Sequence, residues 1–526
     1  MNALATSTGT PAGLAFDLPA IKQQLLQFDQ PCYVMRHQGQ IGVTATYEGS
    51  AATELLATLA PTGIYQLGDP SFRAFHQVNY AYTTGAMAGG IASAELVIAL
   101  GQAGMLASFG AGGVPPARLE AAIQQIQQAR PHGPYAFNLI HIPSEPAMER
   151  GAVDRFLQYS VRTIEASAFL DLTPNLVYYR AAGLHLNANQ ELVIGNRIMA
   201  KVSRKEVAAK FLQPAPLKLL QPLVEQGLIT ELQAQLAQQV PMADDITVEA
   251  DSGGHTDNRP LVALFPSILS LRDELQAQYQ FANPVRIGAA GGISTPESAL
   301  AAFMMGAAYI VTGSVNQSCL EAGTSPYVKQ LLAEAEMPDV MMAPAADMFE
   351  MGVKLQVLKR GSLFAVRAQK LYDVYRTYDR IEDIPADERR KLETQIFKKT
   401  LAEVWDITRS FFEQRDPSQI AQAEANPKRK MALIFRWYLG LSSRWANSGE
   451  TGRESDYQIW CGPAMGSFND WVRGSYLAEP ANRRATEVAY HILIGALYLY
   501  RVQQLKMQGI QLPPELLRYY PVPLSY

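Results

Sequence analysis

The stretch from Arg286 to Ser314 limits the fold more than any other part of the sequence. Val285-Arg286-Ile287 reads as a short buried strand running into Gly288-Ala289-Ala290-Gly291-Gly292-Ile293, a bend that glycine tolerates best. A helix is expected next, with Ser294 or Thr295 as its cap, Pro296 in its first turn and Glu297 at the positive end of its dipole. Beyond Gly306, Ala307 to Val311 predicts a second strand that closes on Thr312-Gly313-Ser314. Two adjacent parallel strands that both end in bare backbone amides make a concave set of donors, for which a phosphate monoester is the best ligand. In a (β/α)8 barrel this is the cup after the seventh and eighth strands. Tight turns alone could also account for the glycines, but two glycine ends in one strand–helix–strand unit favour the cup.

The preceding chain alternates as such a barrel requires. Thr83 to Gly90 reads as a buried strand opening on a loop of small residues, which lets a flat ring approach the backbone. Strands are then expected at Met105–Phe109, Tyr135–His141, Thr163–Phe169 and Ile198–Val202, with helices at Ser93–Gly101, Pro116–Ala129, Gly151–Tyr159 and Leu176–Leu184. A helical insertion at about 212–240 precedes the strand Ile246–Ala250, which ends in Asp251-Ser252-Gly253-Gly254-His255. The fold class expected is α/β, a TIM barrel over about 76–320. A small β-containing domain at 28–75 precedes it, with a hairpin of Tyr33-Val34-Met35 and Ile41-Gly42-Val43 turning at Gln38-Gly39-Gln40. Beyond Ser314 the alternation stops, and 321–526 is expected to be mainly helical. Met1 to Gly13 is rich in Ser, Thr and Ala and predicts a disordered leader reaching to about 27.

At 526 residues the chain is too long for one ordinary domain. Its charged content of 18% is that of a globular protein, and a net charge of -4 argues against nucleic acid or an anionic membrane as main partner. The apolar window Ile492–Tyr500 is too short to span a bilayer. Cys32, Cys319 and Cys461 are far apart and lack metal-ligand spacing, which suits a reduced cytoplasmic setting without a metal site.

Among titratable residues His255 stands out. It follows a glycine pair at the C-terminal end of a barrel strand, where catalytic groups of this architecture lie, and imidazole exchanges a proton near neutral pH. Asn138 and His141 end the third strand and Lys201 the fifth, so they face the same mouth. No Gly-x-Ser-x-Gly elbow occurs. Basic residues gather in the helical part, most densely at Lys428-Arg429-Lys430, as a solvated face or as a patch for an acidic partner.

Met87-Ala88-Gly89, Asp251 to His255, Gly288 to Ile293 and Val311 to Ser314, in this order, resemble the FMN-dependent nitronate monooxygenase and flavin enoyl-reductase superfamily. Glu165 to Pro174, Ala343 to Glu350, Phe435 to Gly440 and Tyr457 to Gly466 narrow the resemblance to the PfaD type, the trans-acting enoyl reductases of polyunsaturated fatty acid and polyketide synthases. The resemblance implies FMN with its phosphate on Gly291, Gly292, Gly313 and Ser314 and its ring beside Met87, Ala88 and Gly89. Asn138 and Lys201 are implied at the ring edge, and Ser252, Gly253, Gly254 and Ile293 complete the cofactor-binding set. His255 matches the histidine beside the flavin and is the candidate acid. NADPH, or NADH, would supply hydride for an enoyl thioester on an acyl carrier protein domain, which the chain would meet in trans; a homodimer stays open. The alternatives are a nitronate monooxygenase-like flavin oxidase, a non-flavin phosphate-binding barrel enzyme and a non-catalytic docking subunit.

Overall fold

The computed structural model describes residues 13–47, 53–143 and 145–524. Eight parallel strands close a barrel: Tyr82–Thr84, Leu106–Phe109, Ala136–Ile140, Thr163–Ser167, Arg197–Val202, Asp245–Glu249, Arg286–Ala290 and Ile310–Thr312. These are the eight expected strands, and they follow chain order around the barrel. The eighth returns to the first with Ile310 beside Tyr82 and Thr312 beside Thr84. After the seventh strand Thr295 caps the helix Pro296–Met304, its hydroxyl accepting from Ser298 N–H, with Pro296 in the first turn.

At the N-terminal floor of the barrel, charge is buried in pairs. Arg286 donates to both Asp245 carboxylate oxygens at 2.6 and 2.9 Å, and His76 Nε2 lies 2.8 Å from Asp245. Arg180 grips Asp244 the same way, at 2.8 and 3.1 Å. In this architecture such pairing at the floor serves stability, and the open end is left to chemistry.

The expected hairpin is present as Cys32–His37 and Gln40–Thr44, and Thr53–Leu59 joins it as a third antiparallel strand on the far side of Cys32–His37. The expected leader differs. Residues 1–12 lie outside the described residues, but Leu18–Leu26 is a helix capped by Asp17, with Ile21 and Leu25 buried. Arg501 explains why it is ordered: its guanidinium donates to the carbonyls of Leu25, Gln27, Phe28 and Gln30, closing the helix end. The insertion at 212–240 is two helices, Leu217–Glu225 and Glu231–Leu236.

The C-terminal part is mainly helical, with an addition that decides the site. Val340–Pro344 and Lys354–Leu358 form an antiparallel pair, and Gly254–His255 from the barrel adds a third strand beside Lys354–Leu358. The region then packs in two places. Residues from Ala343 to Leu439 share one apolar core with this small sheet, whereas Ala485–Met507 lies on the helix Pro296–Met304 within the main core. The helical run that begins at Ala386 is broken at Lys398, whose φ is 54°, and a new helix starts at Leu401 under a Thr400–Glu403 capping box.

Lys428-Arg429-Lys430 opens the helix Pro427–Ser448. Lys428 donates to the carbonyls of Tyr375 and Tyr378, Arg429 pairs with Glu350 at 3.1 Å, and the Lys430 ammonium lies 4.9 Å from the Trp405 ring centre. The run therefore ties helices together, which differs from both a solvated face and a free patch for an acidic partner.

Candidate active site

The C-terminal ends of all eight strands converge on one mouth. After the first strand Met87, Ala88 and Gly89 form a loop stitched to the loop after the second: Gly89 N–H donates to Gly112 O at 2.7 Å and Gly90 N–H to Gly110 O at 2.9 Å. These bonds join the two loops, and the glycines leave little side chain at this edge of the mouth.

Beside this loop, after the seventh and eighth strands, lies the glycine cup. Gly291 and Gly292 have φ of 84° and 74°, the left-handed region in which a β-carbon is strained. A β-carbon on Gly291 would meet the Ala250 carbonyl carbon at 2.6 Å, while one on Gly292 or Gly313 would find no atom within 4 Å. Gly291 is thus fixed by packing, and the other two border open space, the cradle a phosphate would need. Ile293 is buried behind them. The Ser314 hydroxyl accepts from Gly462 N–H at 3.0 Å, which leaves its own O–H to donate elsewhere.

Three charged groups stand on the fourth, fifth and sixth strands. Lys201 Nζ lies 3.5 Å from Glu165 and 3.4 Å from Glu249. Burial alone would discharge Lys201, but the two carboxylates outweigh it and hold its pKa above the ordinary lysine value. Glu249 is pushed up by burial, with Glu165 adding to the push and Lys201 opposing it; it accepts from Ser252 Oγ at 3.1 Å. Asn138 is turned into the wall, where its amide nitrogen donates to Glu165 O and Ser167 Oγ at 3.2 and 3.0 Å.

His255 is placed by the small sheet, where it pairs with Leu355, and Gly254 pairs with Gln356. Gln356 Nε2 donates to Asp251 Oδ1 and Ser252 O, both at 2.8 Å, so the loop carrying the histidine is sewn to the C-terminal part. His255 Nε2 lies 3.1 Å from Asp347 Oδ1, with side-chain exposures of 31% and 20%. Burial would lower the histidine pKa, yet the Asp347 charge and hydrogen bond, helped by Glu249 and opposed by Lys201, leave it above the ordinary value. Burial would likewise raise Asp347, but His255, a backbone bond and Arg436 draw it below the usual carboxylate value.

The structure thus gathers every expected site residue at one end of the barrel. It adds Glu165, Glu249, Asp347 and Gly462, which sequence reasoning left without a role. An acidic residue inside the buried fourth strand and another closing the sixth were the available signal for the first two. Cys319, which follows the eighth strand, is buried and burial pushes its thiol well up, so it is not placed as a ready nucleophile for a non-flavin phosphate-binding barrel enzyme.

Three family models match the chain: the fatty acid synthase subunit PfaD N-terminal domain at residues 8–61, nitronate monooxygenase at 71–382, and the inserted helical domain of acyl-carrier-protein S-malonyltransferase at 378–457. The chain is 48% identical over 501 residues to a polyunsaturated fatty acid synthase subunit of Thraustochytrium sp., covering 94% of this chain and 33% of that protein. It is 46% identical over 428 residues to polyketide biosynthesis protein PksE of Bacillus subtilis, covering 81% of this chain and 55% of that one. The chain therefore spans a third to about half of the length of these two curated relatives. Among solved structures, the enoyl reductase domain of MlnA from the macrolactin biosynthesis cluster of Bacillus amyloliquefaciens superposes with a TM-score of 0.80 at 39% identity, over 85% of this chain and 100% of that one.

Proposed function

The chain belongs to the nitronate monooxygenase family, in its PfaD branch, and on that premise we propose that it is an FMN-dependent enoyl reductase. Its substrates in this reading are enoyl thioesters on acyl carrier protein domains of a polyketide or fatty acid synthase, and its setting is cytoplasmic. Among the described residues no helix is long and apolar enough to cross a membrane.

The observation that carries the reading is the pairing of an open glycine cup with a histidine of raised pKa at the same mouth. Gly291, Gly292 and Gly313 would hold the FMN phosphate with backbone N–H groups, and Ser314 would donate its hydroxyl proton. Met87, Ala88 and Gly89 would lie flat against the ring. Lys201 would place a positive charge at the ring edge, held there by Glu165 and Glu249. Bound FMN would supply the hydride, taken from NADPH or NADH, that ends on the β-carbon of the thioester. The enolate that results needs a proton on its α-carbon, which His255 would donate.

The test is an absorbance spectrum of the purified protein, followed by NADPH oxidation with a carrier-bound trans-2-enoyl thioester under anaerobic conditions. Flavin bands and a saturated thioester product are expected. A flavin enzyme that consumes oxygen with alkyl nitronates and leaves the thioester unreduced would replace this reading with the oxidase one, and a protein without flavin would sink both.

A further inference from the structure

We propose that Asp347 is the positioning residue of the proton donor: its carboxylate fixes the Nε2–H of His255 and leaves Nδ1 as the nitrogen that hands a proton to the substrate α-carbon. The inference rests on the reductase reading for the identity of the proton acceptor, and on geometry alone for the pair itself.

The two residues come from different parts of the chain. His255 ends the loop after the sixth barrel strand, and Asp347 lies in the turn between the strands Val340–Pro344 and Lys354–Leu358. That turn is held by Ala345 N–H to Val353 O at 2.9 Å and Gly352 N–H to Phe349 O at 3.0 Å. Because Gly254–His255 is itself a strand of the same sheet, the sheet brings the histidine to the connection that carries Asp347, and the two lie 3.1 Å apart.

An ionised carboxylate can only accept, so the nitrogen facing it must carry hydrogen. In neutral imidazole that assigns the proton to Nε2 and makes Nδ1 an acceptor, useless as an acid. Only the imidazolium has a hydrogen on Nδ1. Besides the Asp347 carboxylate itself, which favours the imidazolium, three charged groups act on the pair: Glu249 favours the imidazolium, Lys201 opposes it, and Arg436 acts on Asp347. Nδ1 has no hydrogen-bond partner among the described residues. Transfer of its proton to the enolate carbon leaves neutral His255 still bonded to Asp347 through Nε2, and solvent restores the lost proton. The hydride on the β-carbon and this proton on the α-carbon balance the reduction of the double bond.

The experiment is Asp347→Asn and Asp347→Glu, with His255→Ala as reference. Two readouts are taken: the titration of the His255 ring by NMR on histidine-labelled protein, and the pH profile of enoyl thioester turnover. Asp347→Asn should titrate at lower pH than the parent and bring the alkaline loss of activity down with it, costing about tenfold or more in kcat near neutral pH with KM and flavin content unchanged. Asp347→Glu should recover most of both. An unchanged titration in Asp347→Asn, or an unchanged pH profile with an intact flavin complement, overturns the proposal. A shifted titration in a protein that reduces no enoyl thioester would instead retain the pair and remove the reductase reading.

Discussion

Gly253 and Gly462 press their backbones together across the barrel mouth. A β-carbon on Gly462 would come within 2.7 Å of Gly253 N, and one on Gly253 within 2.8 Å of Cys461 N. The contact is reciprocal, and it binds the loop that carries His255 to a loop 209 residues further on, the difference between 462 and 253. Gly462 also donates to Ser314 at the cup, so one C-terminal loop touches both the histidine loop and the proposed phosphate site.

Gly462→Ala should therefore loosen two things at once. The added methyl has to displace main chain, since neighbours at 2.7 and 2.9 Å are backbone atoms. The expected result is a folded barrel with weaker FMN retention and slower turnover, read by flavin content after gel filtration and by kcat. Parent-like values in both would mean that the loop contact is incidental.

The two glycines of the cup should respond differently to substitution. Gly291→Ala pushes its methyl into the Ala250 backbone at 2.6 Å and should lower Tm together with flavin content. Gly292→Val meets no protein atom at its β-carbon, so its cost to stability should be limited to a left-handed backbone strain of about 1–2 kcal/mol. Its flavin affinity should nonetheless fall, because the side chain enters the space proposed for the phosphate. Flavin binding to Gly292→Val as tight as to the parent would put the phosphate elsewhere.

His255→Ala should fold and hold FMN while losing at least ~10²-fold in enoyl thioester turnover, the usual scale of a general acid. Flavin reduction by NADPH, measured by stopped flow, should be little changed, since that half reaction needs no proton on carbon. Equal turnover in variant and parent would leave the histidine a structural role.

The barrel was legible because each of its strands is a short apolar run bounded by glycine or polar turns, and the cup because its glycines are local. The position of His255 at a strand end was legible for the same reason. Its partner was not: Asp347 lies 92 residues away and meets it only through a sheet of which one strand is two residues long. Ala343 to Glu350 stood out as a family mark, yet a carboxylate in a turn has no local signature of what it will face. The helix Leu18–Leu26 could have been found, since Asp17 precedes a proline and Ile21 and Leu25 lie one turn apart. The break at Lys398 had no such signal, because a left-handed lysine is not a turn residue by preference.

The floor of the barrel sets an acid limit on stability. Burial would raise Asp245, but Arg286 and His76 hold its pKa down at about 2, below the ~3.9 of an unfolded aspartate. The folded carboxylate binds its proton less readily than the unfolded one, so its contribution is present above the unfolded pKa and lost as pH falls through about 2. Arg286→Ala leaves the buried Asp245 with His76 as its remaining partner and should cost up to ~3–5 kcal/mol at neutral pH. Thermal melts of parent and variant should converge as pH is lowered into that window. A constant gap down to the lowest pH would assign the loss to packing of Arg286 over Phe75 instead.

The basic run Lys428-Arg429-Lys430 allows a sharp test of how an acidic carrier would be met. Two negative bodies attract only through a local patch of opposite charge, and this run, unlike the equally long Arg389-Arg390-Lys391, has no acidic residue directly beside it in sequence. Its side chains, however, are engaged inside the helical part, with Lys428 on two carbonyls, Arg429 on Glu350 and Gln419, and Lys430 over Trp405. Reversal of all three to Glu would place negative charge beside those carbonyls and beside Glu350, and would remove the hydrogen bonds that join helix Pro427–Ser448 to its neighbours. The expected outcome is a lower Tm and an equal loss of turnover with carrier-bound and free thioester substrates, little altered by salt. A selective rise in KM for the carrier-bound substrate that shrinks between low salt and ~0.1 M ionic strength, where exposed charges are screened over ~10 Å, would make the run a docking patch after all.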